Sequence, residues 1–600
     1  MTSTTLLPRW DMSVVYPGLE SAEFQAGFTA CVQGIEELEA LFDDLGIGVE
    51  RAPSPRSDLQ ALEQSLSALN RVQDSVQTLS AYISSFVTTD SRNGLAQQRL
   101  SELSERLVRL SQLWTRFARW VGSIDVESAV AGSSVLGEHA YLLQLQKESA
   151  RHLMSAAEED LAAELEPSGG TAWSRLQSNV SSQIMVPLDT GTGIQDVPMS
   201  VIRNLAMNPD RELRRRAYEA ELEAWARHEV PLAAALNSIK GQSNVLESRR
   251  RWASPLDAAV FNNHIDRQTL DAMLQSAREY FPTFRRYLGL KARLLGVEKL
   301  AWFDIFAPLS GGERQWSYAD ATDFIVEQFA SYSPRLSDFA AQAFRENWID
   351  AEPRPGKRDG AFCMKLRAGE SRVLTNFNPS YDAMSTLAHE LGHAYHNYNQ
   401  ASKPPLLRTA PMTLAETASI FCQTLIKEAV LKNAGPAEQL TILEASLQDQ
   451  CQVVVDISSR FLFEQRIYEA RKRRDLSVEE LKEMMLEAQD ETYGEGLDSN
   501  LRHPYMWAAK IHYYSVSRPF YNYPYMFGQL FGLGLYSIYT REPDTFRAQY
   551  DDLLASTGHA DAATLAAAFG FDIRSADFWQ SSLELIRADV DRFEDLAATT

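Results

Sequence analysis

Two histidines and one glutamate in the middle of the chain have the spacing of a metal site. His389 and His393 are four residues apart, and Glu390 directly follows the first of them, in the pattern His-Glu-x-x-His. Residues four apart project from the same side of a helix, so both imidazoles can bind one Zn²⁺ at about 2.0–2.1 Å. Glu390 can then reach a water on the metal without being a ligand itself. The pattern predicts zinc-dependent hydrolysis of peptide bonds, with Glu390 as the general base.

A third ligand to the metal is expected in the segment Thr413–Ser419. Glu416 stands there among apolar residues at helical spacing, and a carboxylate on the buried side of a helix needs a partner. Zinc would supply that partner, so Glu416 is predicted to complete a set of three protein ligands. Asp382, two turns before His389, has two interpretations. It accepts the second ring N–H of a ligand histidine, or it is a first-turn carboxylate that the helix dipole favours.

A second group of chemically capable residues lies in the segment Arg502–Gly528, which is dense in tyrosine and contains His503 and His512. A segment with so many aromatic residues can belong to the hydrophobic core. Buried phenols need hydrogen-bond partners, however, so the same density also indicates a polar pocket. Tyrosine O–H and histidine N–H groups are suited to donate to the oxyanion that forms when a peptide bond is attacked.

The elements that must position these residues are mostly helical. Apolar residues recur at three- and four-residue steps between Leu59 and Leu113, which predicts antiparallel amphipathic helices in a bundle. Two strand-like runs, Ala361–Leu366 and Ser371–Phe377, precede the histidine motif. Asn378 and Pro379 then favour the start of the motif helix. The sequence predicts a mainly α protein with a small β-sheet next to the zinc-binding helix.

Composition restricts the function further. The 600 residues include 80 acidic and 58 basic side chains, for a formal net charge of -22. Such a surface repels phosphates and anionic lipids, so neither nucleic acid nor a membrane is a predicted partner. The four cysteines are not arranged as a disulfide framework, and the first residues lack the basic and apolar regions of a signal peptide. We therefore expect a cytoplasmic protein, and its oligomeric state is left unassigned.

Beyond these patterns, the chain resembles the M3 family of zinc metallopeptidases, specifically its oligoendopeptidase F branch. The resemblance covers most of the chain, including the opening segment Arg9–Gly18. It is carried most closely by Val373–Phe377 followed by Thr386–His396, by Ala415–Ser419, and by His512–Tyr525.

The resemblance implies a two-lobed helical body around a deep substrate channel, with one Zn²⁺ per chain on the channel floor. We expect an N-terminal helical lobe over residues 1–190 and a zinc peptidase region over 191–600. The implied activity is cleavage of internal bonds in short unstructured peptides. The strand from Leu374 to Phe377, with Asn376, is implied to be an edge strand that pairs with the substrate backbone.

The resemblance also suggests roles in the aromatic segment. His512 together with one or two tyrosines is expected to stabilise the oxyanion. Tyr521 and Tyr523 are the first candidates and Tyr514 is the next, and Tyr514 is also expected to contact the substrate. The tyrosine spacing differs slightly from that of the thimet oligopeptidase branch, so more than one tyrosine stays open for the oxyanion role.

Two other functions compete with this one. A zinc exopeptidase would need a charged group to hold the substrate terminus, and no motif for it is obvious in the sequence. A catalytically silent peptide-binding protein with a structural metal would have no need of Glu390.

Overall fold

A computed structural model describes residues 7–48, 55–191, 193–309 and 314–598. Over these residues the chain is mainly helical, with only two small sheets, which confirms the predicted fold class. The helices are α1 (Ala22–Asp44), α2 (Pro55–Thr89), α3 (Gly94–Val121), α4 (Val126–Gly132), α5 (Ser134–Glu138), α6 (Ala140–Arg151), α7 (Ala156–Leu165), α8 (Gly170–Gln183), α9 (Met199–Asn204), α10 (Arg211–Arg249), α11 (Pro255–Asn262), α12 (Arg267–Glu279), α13 (Phe281–Leu294), α14 (Tyr318–Tyr332), α15 (Pro334–Arg345), α16 (Tyr381–Asn399), α17 (Met412–Ala415), α18 (Thr417–Asn433), α19 (Pro436–Cys451), α20 (Ile457–Arg471), α21 (Val478–Tyr493), α22 (Met506–Ala509), α23 (Tyr523–Arg541), α24 (Pro543–Ala555), α25 (Ala562–Ala568) and α26 (Ala576–Ala597). The strands are β1 (Met185–Asp189), β2 (Ile194–Pro198), β3 (Ile349–Asp350), β4 (Phe362–Arg367) and β5 (Glu370–Leu374).

The chain forms two compact units, and each unit draws on three segments. Unit 1 comprises Met1–Leu153, Arg314–Lys432 and Ile538–Gly570, and unit 2 comprises the segments Met154–Glu313, Asn433–Ser537 and Phe571–Thr600. The predicted lobe boundary at residue 190 stays a prediction. None of the described helices combines the length and the apolar character needed to cross a lipid bilayer.

The N-terminal part of unit 1 is a bundle of α1, α2 and α3. Leucines at three- and four-residue steps form its core, as the periodicity predicts: Leu62, Leu66 and Leu69 on α2 pack with Leu103, Leu110 and Leu113 on α3. The Asn93 side chain caps α3 by accepting a hydrogen bond from the backbone N–H of Ala96.

The sheet of unit 1 lies against the helix that carries the histidine motif. Its strand order is β3-β5-β4, with β3 parallel to β5 and β4 antiparallel to it, and α16 packs on both β4 and β5. This confirms the predicted sheet beside the helix of the histidine motif. For Leu374 the prediction of an edge strand is wrong, because Leu374 pairs with Asp350 of β3 on one side and with Phe362 of β4 on the other. The N–H of Phe377 donates to the carbonyl of Ala351, on the β3 side. For residues 375–377, which follow β5, the pairing with substrate stays a prediction.

Unit 2 is organised around the long helix α10. Its inner face, including Trp225, Leu236 and Ile239, packs against α20 and the hairpin β1–β2 in one apolar cluster. The hairpin is antiparallel and coincides with the turn-rich stretch before residue 198. Between α19 and α20, residues Gln452–Asp456 form a stretch of π-helix. The two helices are therefore one continuous helix that is wider at these residues.

Candidate metal centre

The helix α16 fixes the positions of both predicted histidine ligands. It begins at Tyr381 with Ser380 as N-cap, whose hydroxyl accepts from the N–H of Ala383. The helix therefore starts two residues later than Asn378 suggests, because Ser380 is an equally good cap. Its apolar residues, which include Leu387 and Leu391, are fully buried, whereas the imidazoles of the motif keep about a quarter of their surface exposed.

A close contact between α16 and α18 brings the third ligand to the histidines. Gly392 on α16 lies so near the start of α18 that a Cβ at this position would be 2.5 Å from the carbonyl oxygen of Ala418. Glu416 occupies the break between α17 and α18, two residues before that contact. The absence of a side chain at Gly392 is what lets the carboxylate reach the two imidazoles.

The distances within this cluster fit a tetrahedral metal ion. Oε2 of Glu416 is 3.3 Å from Nε2 of His389 and 3.3 Å from Nε2 of His393. One donor atom from each of these residues lies within 4.8 Å of the others. Donors bound to Zn²⁺ at about 2.0–2.1 Å with tetrahedral angles are about 3.3–3.4 Å apart. The three residues therefore have the chemistry and the spacing of a three-ligand zinc site.

The charge state of Glu416 favours binding of a cation. Burial would raise the pKa of Glu416, but hydrogen bonds and charge from His389 and His393 hold it well below its usual range. The hydroxyl of Ser419 also donates to Oε2 of Glu416, at 2.6 Å. Glu416 is thus a carboxylate at neutral pH, which is the form that binds a metal.

Glu390 lies beside the three candidate ligands and is not part of their cluster. Its side chain is buried, and burial raises the pKa of its carboxyl. The backbone N–H of Cys363 on β4 donates to this carboxyl, while Oε2 has no hydrogen-bond partner among the described residues. A buried carboxylate oxygen without a partner is costly, so Glu390 is suited to receive a proton from a bound water.

Sequence reasoning missed the residue that orients the first ligand. Nδ1 of His389 lies 3.0 Å from Oε1 of Gln423, an oxygen that can only accept, so Nδ1 carries the proton and Nε2 is free for the metal. Gln423 lies on α18 seven residues after Glu416, which directly precedes that helix, and a spacing of two helical turns is a signal that could have identified it. Asp382 is exposed in the first turn of α16, so the interpretation as a dipole-favoured carboxylate remains.

A second supporting contact holds the far end of α16. Nε2 of His396 is 2.8 Å from the hydroxyl of Thr557, and Gln400 donates to the same hydroxyl at 2.9 Å. Burial lowers the pKa of His396 to about 3, so this ring is neutral.

The cluster opens into a cavity of about 560 Å³ between α16 and β4. Cys363 and Lys365 of β4 line one wall, and His389, Glu390, His393, His396, Asn397 and Gln400 line the other. Leu374 and Phe377 are buried instead, and the Asn376 amide donates to the carbonyls of Arg358 and Gly360.

The predicted residues of the aromatic segment, His512, Tyr514, Tyr521 and Tyr523, lie in unit 2. His512 and Tyr521 stack with ring centroids 5.0 Å apart, and the pKa of His512 is lowered to about 4 by burial and by Arg460 and Lys510. His512 is therefore neutral at pH 7 and can donate an N–H.

The other two predicted tyrosines are committed to the core of unit 2. Tyr523 is fully buried and donates its hydroxyl to the carbonyl of Ala259, at 3.1 Å. Tyr514 is equally buried, with its hydroxyl 3.5 Å from the carbonyl of Leu232. Of the predicted tyrosines, Tyr521 is the one with a partly exposed ring.

The chain is similar to known peptidases over most of its length. Residues 204–585 match the model of peptidase family M3, and residues 125–185 match that of oligopeptidase F. An oligoendopeptidase F homolog of Lactococcus lactis is 23% identical, over 98% of this chain and 97% of its own. A crystal structure from Chlamydophila abortus superposes with a TM-score of 0.81 at 21% identity, covering 98% of both chains. That of oligoendopeptidase F from Enterococcus faecium has a TM-score of 0.70 at 18% identity, covering 96% of this chain and 99% of its own.

Proposed function

This chain belongs to peptidase family M3, and we propose that it is a zinc-dependent endopeptidase that cuts internal bonds of short unstructured peptides. The observation that carries the proposal is the spacing of the three donors. Oε2 of Glu416 lies 3.3 Å from Nε2 of His389 and 3.3 Å from Nε2 of His393, and the unpartnered oxygen of Glu390 lies beside them. One Zn²⁺ per chain fits this set.

The roles of the chain's own residues follow from their surroundings. Zinc, when bound, would polarise the substrate carbonyl and make a neighbouring water more acidic. Glu390 takes the proton of the attacking water and later delivers it to the leaving amine. Gln423 holds His389 in the tautomer that leaves Nε2 free. A structural metal site has no need of a base, so the position of Glu390 argues against a silent peptide-binding protein.

The outer edge of β4 is the part of the sheet suited to hold an extended peptide. Cys363 stands opposite Val373 of β5, whose N–H donates to the carbonyl of Trp348 on the other side, so the backbone N–H and C=O of Cys363 face away from the sheet. Cys363 also lines the cavity. Its N–H donates to Glu390, and the carbonyl of Lys365 accepts from Gln77 at 2.7 Å. An added strand has room for only a few backbone hydrogen bonds here, which suits short substrates.

Three further elements of the proposal rest on the sequence. His512 and Tyr521 are proposed as donors to the oxyanion, and short peptides are the proposed substrates. A cytoplasmic location is proposed as well, and the described cysteines, all free thiols, support it.

The test uses an internally quenched nonapeptide, with mass spectrometry of the fragments. We expect internal cleavage by the zinc-loaded protein, loss of activity with a chelator, and recovery on adding zinc. Glu390→Gln should keep stoichiometric zinc and lose nearly all turnover, whereas the matched control Glu327→Gln, at an exposed position of α14, should behave as wild type. Release of terminal residues only would favour the exopeptidase alternative, and zinc loss in Glu390→Gln would contradict its role as base.

A further inference from the structure

A lysine in the wall of the catalytic cavity has no acidic partner. The ammonium of Lys365 donates to Oε1 of Gln400 at 3.0 Å and to the carbonyl of Arg408, and no carboxylate of the described residues lies within 4.0 Å of it. Burial lowers its pKa to about 8, and the nearby charge of Arg408 adds to the effect. The cation therefore lacks the counter-charge that would offset its desolvation.

Three other buried lysines of the described residues each contact a carboxylate. Lys240 lies 2.6 Å from Glu464, Lys291 contacts Glu444 at 2.5 Å, and Lys357 lies 2.7 Å from Asp350. None of these three lysines lines the cavity at the metal centre. Lys365 is the lysine that lines the cavity at the metal centre, and no carboxylate of the described residues lies within 4.0 Å of its ammonium.

The neighbouring charges do not supply the missing partner. Arg408 already contacts Asp74 at 2.8 Å, so its guanidinium has its own carboxylate. The two carboxylates in the cavity wall, Glu390 and Glu416, belong to the metal centre. Two N–H groups of Lys365 are used by the protein, which leaves the third for a ligand.

The distance between this lysine and the metal centre corresponds to a few residues of substrate. Its partner Gln400 is seven residues after His393, and so lies roughly 10 Å further along the helix axis. Extended peptide rises about 3.3 Å per residue, so about three residues span this separation. Cys363 and Lys365 are two apart on β4, so both side chains are on the same face of the strand.

We propose that Lys365 binds a carboxylate of the peptide substrate, at about three residues from the bond that is cut. The carboxylate is an Asp or Glu side chain or the free C-terminus, since both present the same group. This inference rests on the proposed function and adds a substrate class to it: peptides with a negative charge at a fixed distance from the cleavage site.

The experiment compares pairs of quenched peptides that differ only in one carboxylate. One series exchanges Glu for Gln at each position in turn, and the other exchanges a C-terminal acid for its amide. The readout is the ratio of kcat/KM values within each pair, for wild type, Lys365→Met and Lys365→Arg. Lys432→Met, at an exposed position near the end of α18, is the matched control.

We expect wild type to prefer one carboxylate peptide by roughly 10- to 100-fold over its neutral partner. The preference should fall below twofold in Lys365→Met and persist in Lys365→Arg and Lys432→Met, with unchanged melting by circular dichroism. The series that shows the preference identifies the source of the carboxylate. A wild-type preference below twofold in every pair, or one that survives in Lys365→Met, overturns the inference.

A failure of the proposed function gives a different result. If wild type cuts none of the peptides, that function is wrong, and the same pairs are compared by fluorescence anisotropy binding. A carboxylate preference in affinity that Lys365→Met abolishes still supports the inference, and its absence overturns it.

Discussion

Replacing Gly392 by alanine tests whether the contact between α16 and α18 sets the geometry of the metal centre. The added Cβ would lie 2.5 Å from the carbonyl oxygen of Ala418 and 2.6 Å from Cα of Ser419. An ordinary carbon–oxygen contact is about 3.3–3.6 Å, so the two helices must separate by roughly 0.8 Å. Both atoms belong to backbone, so no side-chain rotation relieves the clash. Glu416 lies less than one turn away and moves with α18.

This displacement exceeds what a metal site tolerates. Ligand distances are held within about 0.2 Å, so a shift of roughly 0.8 Å removes Glu416 from the ligand set. We expect the affinity for zinc to fall at least 10- to 100-fold, and the free energy of unfolding to fall by about 1–3 kcal/mol. Gly289→Ala is a control in which the expected change in the free energy of unfolding has the opposite sign. Gly289 is exposed in the interior of α13 with no atom within 4 Å of its Cβ position, so alanine should stabilise by up to about 1 kcal/mol.

The assay is competition for zinc with a chromogenic chelator, together with thermal melting of the metal-free proteins. Melting without metal separates the steric cost from the loss of the ligand. Wild-type zinc affinity and wild-type melting in Gly392→Ala would refute the reasoning, because they would show that α18 does not need this close contact to present Glu416.

Three further predictions concern other parts of the site. Gln423→Leu removes the acceptor of the Nδ1–H of His389, so chelator competition should show a roughly 10- to 100-fold loss of zinc affinity that Gln423→Glu restores; equal affinity in all three proteins would exclude the orienting role. Tyr521→Phe should lower kcat roughly 10²- to 10³-fold with little change in KM, whereas Tyr523→Phe, which removes a hydroxyl in the core, should lower the melting temperature and leave kcat near wild type. The preference for carboxylate peptides should decline as pH rises through about 8, because Lys365 is protonated below that value and neutral above it. The ratio of kcat/KM values within a peptide pair, measured from pH 6 to 10, cancels titrations common to both peptides, and a constant ratio would contradict this prediction.

The cluster of His389, His393 and Glu416 was predictable because its signal is local. Two histidines four apart need only a helix to meet at one point, and the helix is indicated by the apolar residues around them. The strand-like runs before the motif were also predictable, and they correspond to β4 and β5. The order of these strands was not. β3 has two residues, Ile349 and Asp350, which is too short for any periodic signal, yet its pairing makes β5 the central strand.

Contacts between distant segments account for the other gaps. The hydroxyl of Tyr523 is satisfied by Ala259, a residue far away in the sequence, so nothing near Tyr523 distinguishes it from Tyr521. The alternation of β4 places Lys365 on the same face as Cys363, but only the folded chain shows that no carboxylate approaches its ammonium. No sequence pattern indicates that a lysine lacks a carboxylate partner in the folded protein.

The discontinuous make-up of unit 1 has a consequence for the time at which the metal centre matures during synthesis. The three candidate ligands are all present once Glu416 has been translated, but two contacts that support them come from the last segment of the unit. The hydroxyl of Thr557 bonds to His396, and that of Tyr550 donates to the carbonyl of Thr417, directly after the third ligand. Roughly 140 residues separate Glu416 from Thr557, which is on the order of 10 s of ribosome time. A nascent chain therefore carries every ligand well before it carries the residues that brace them.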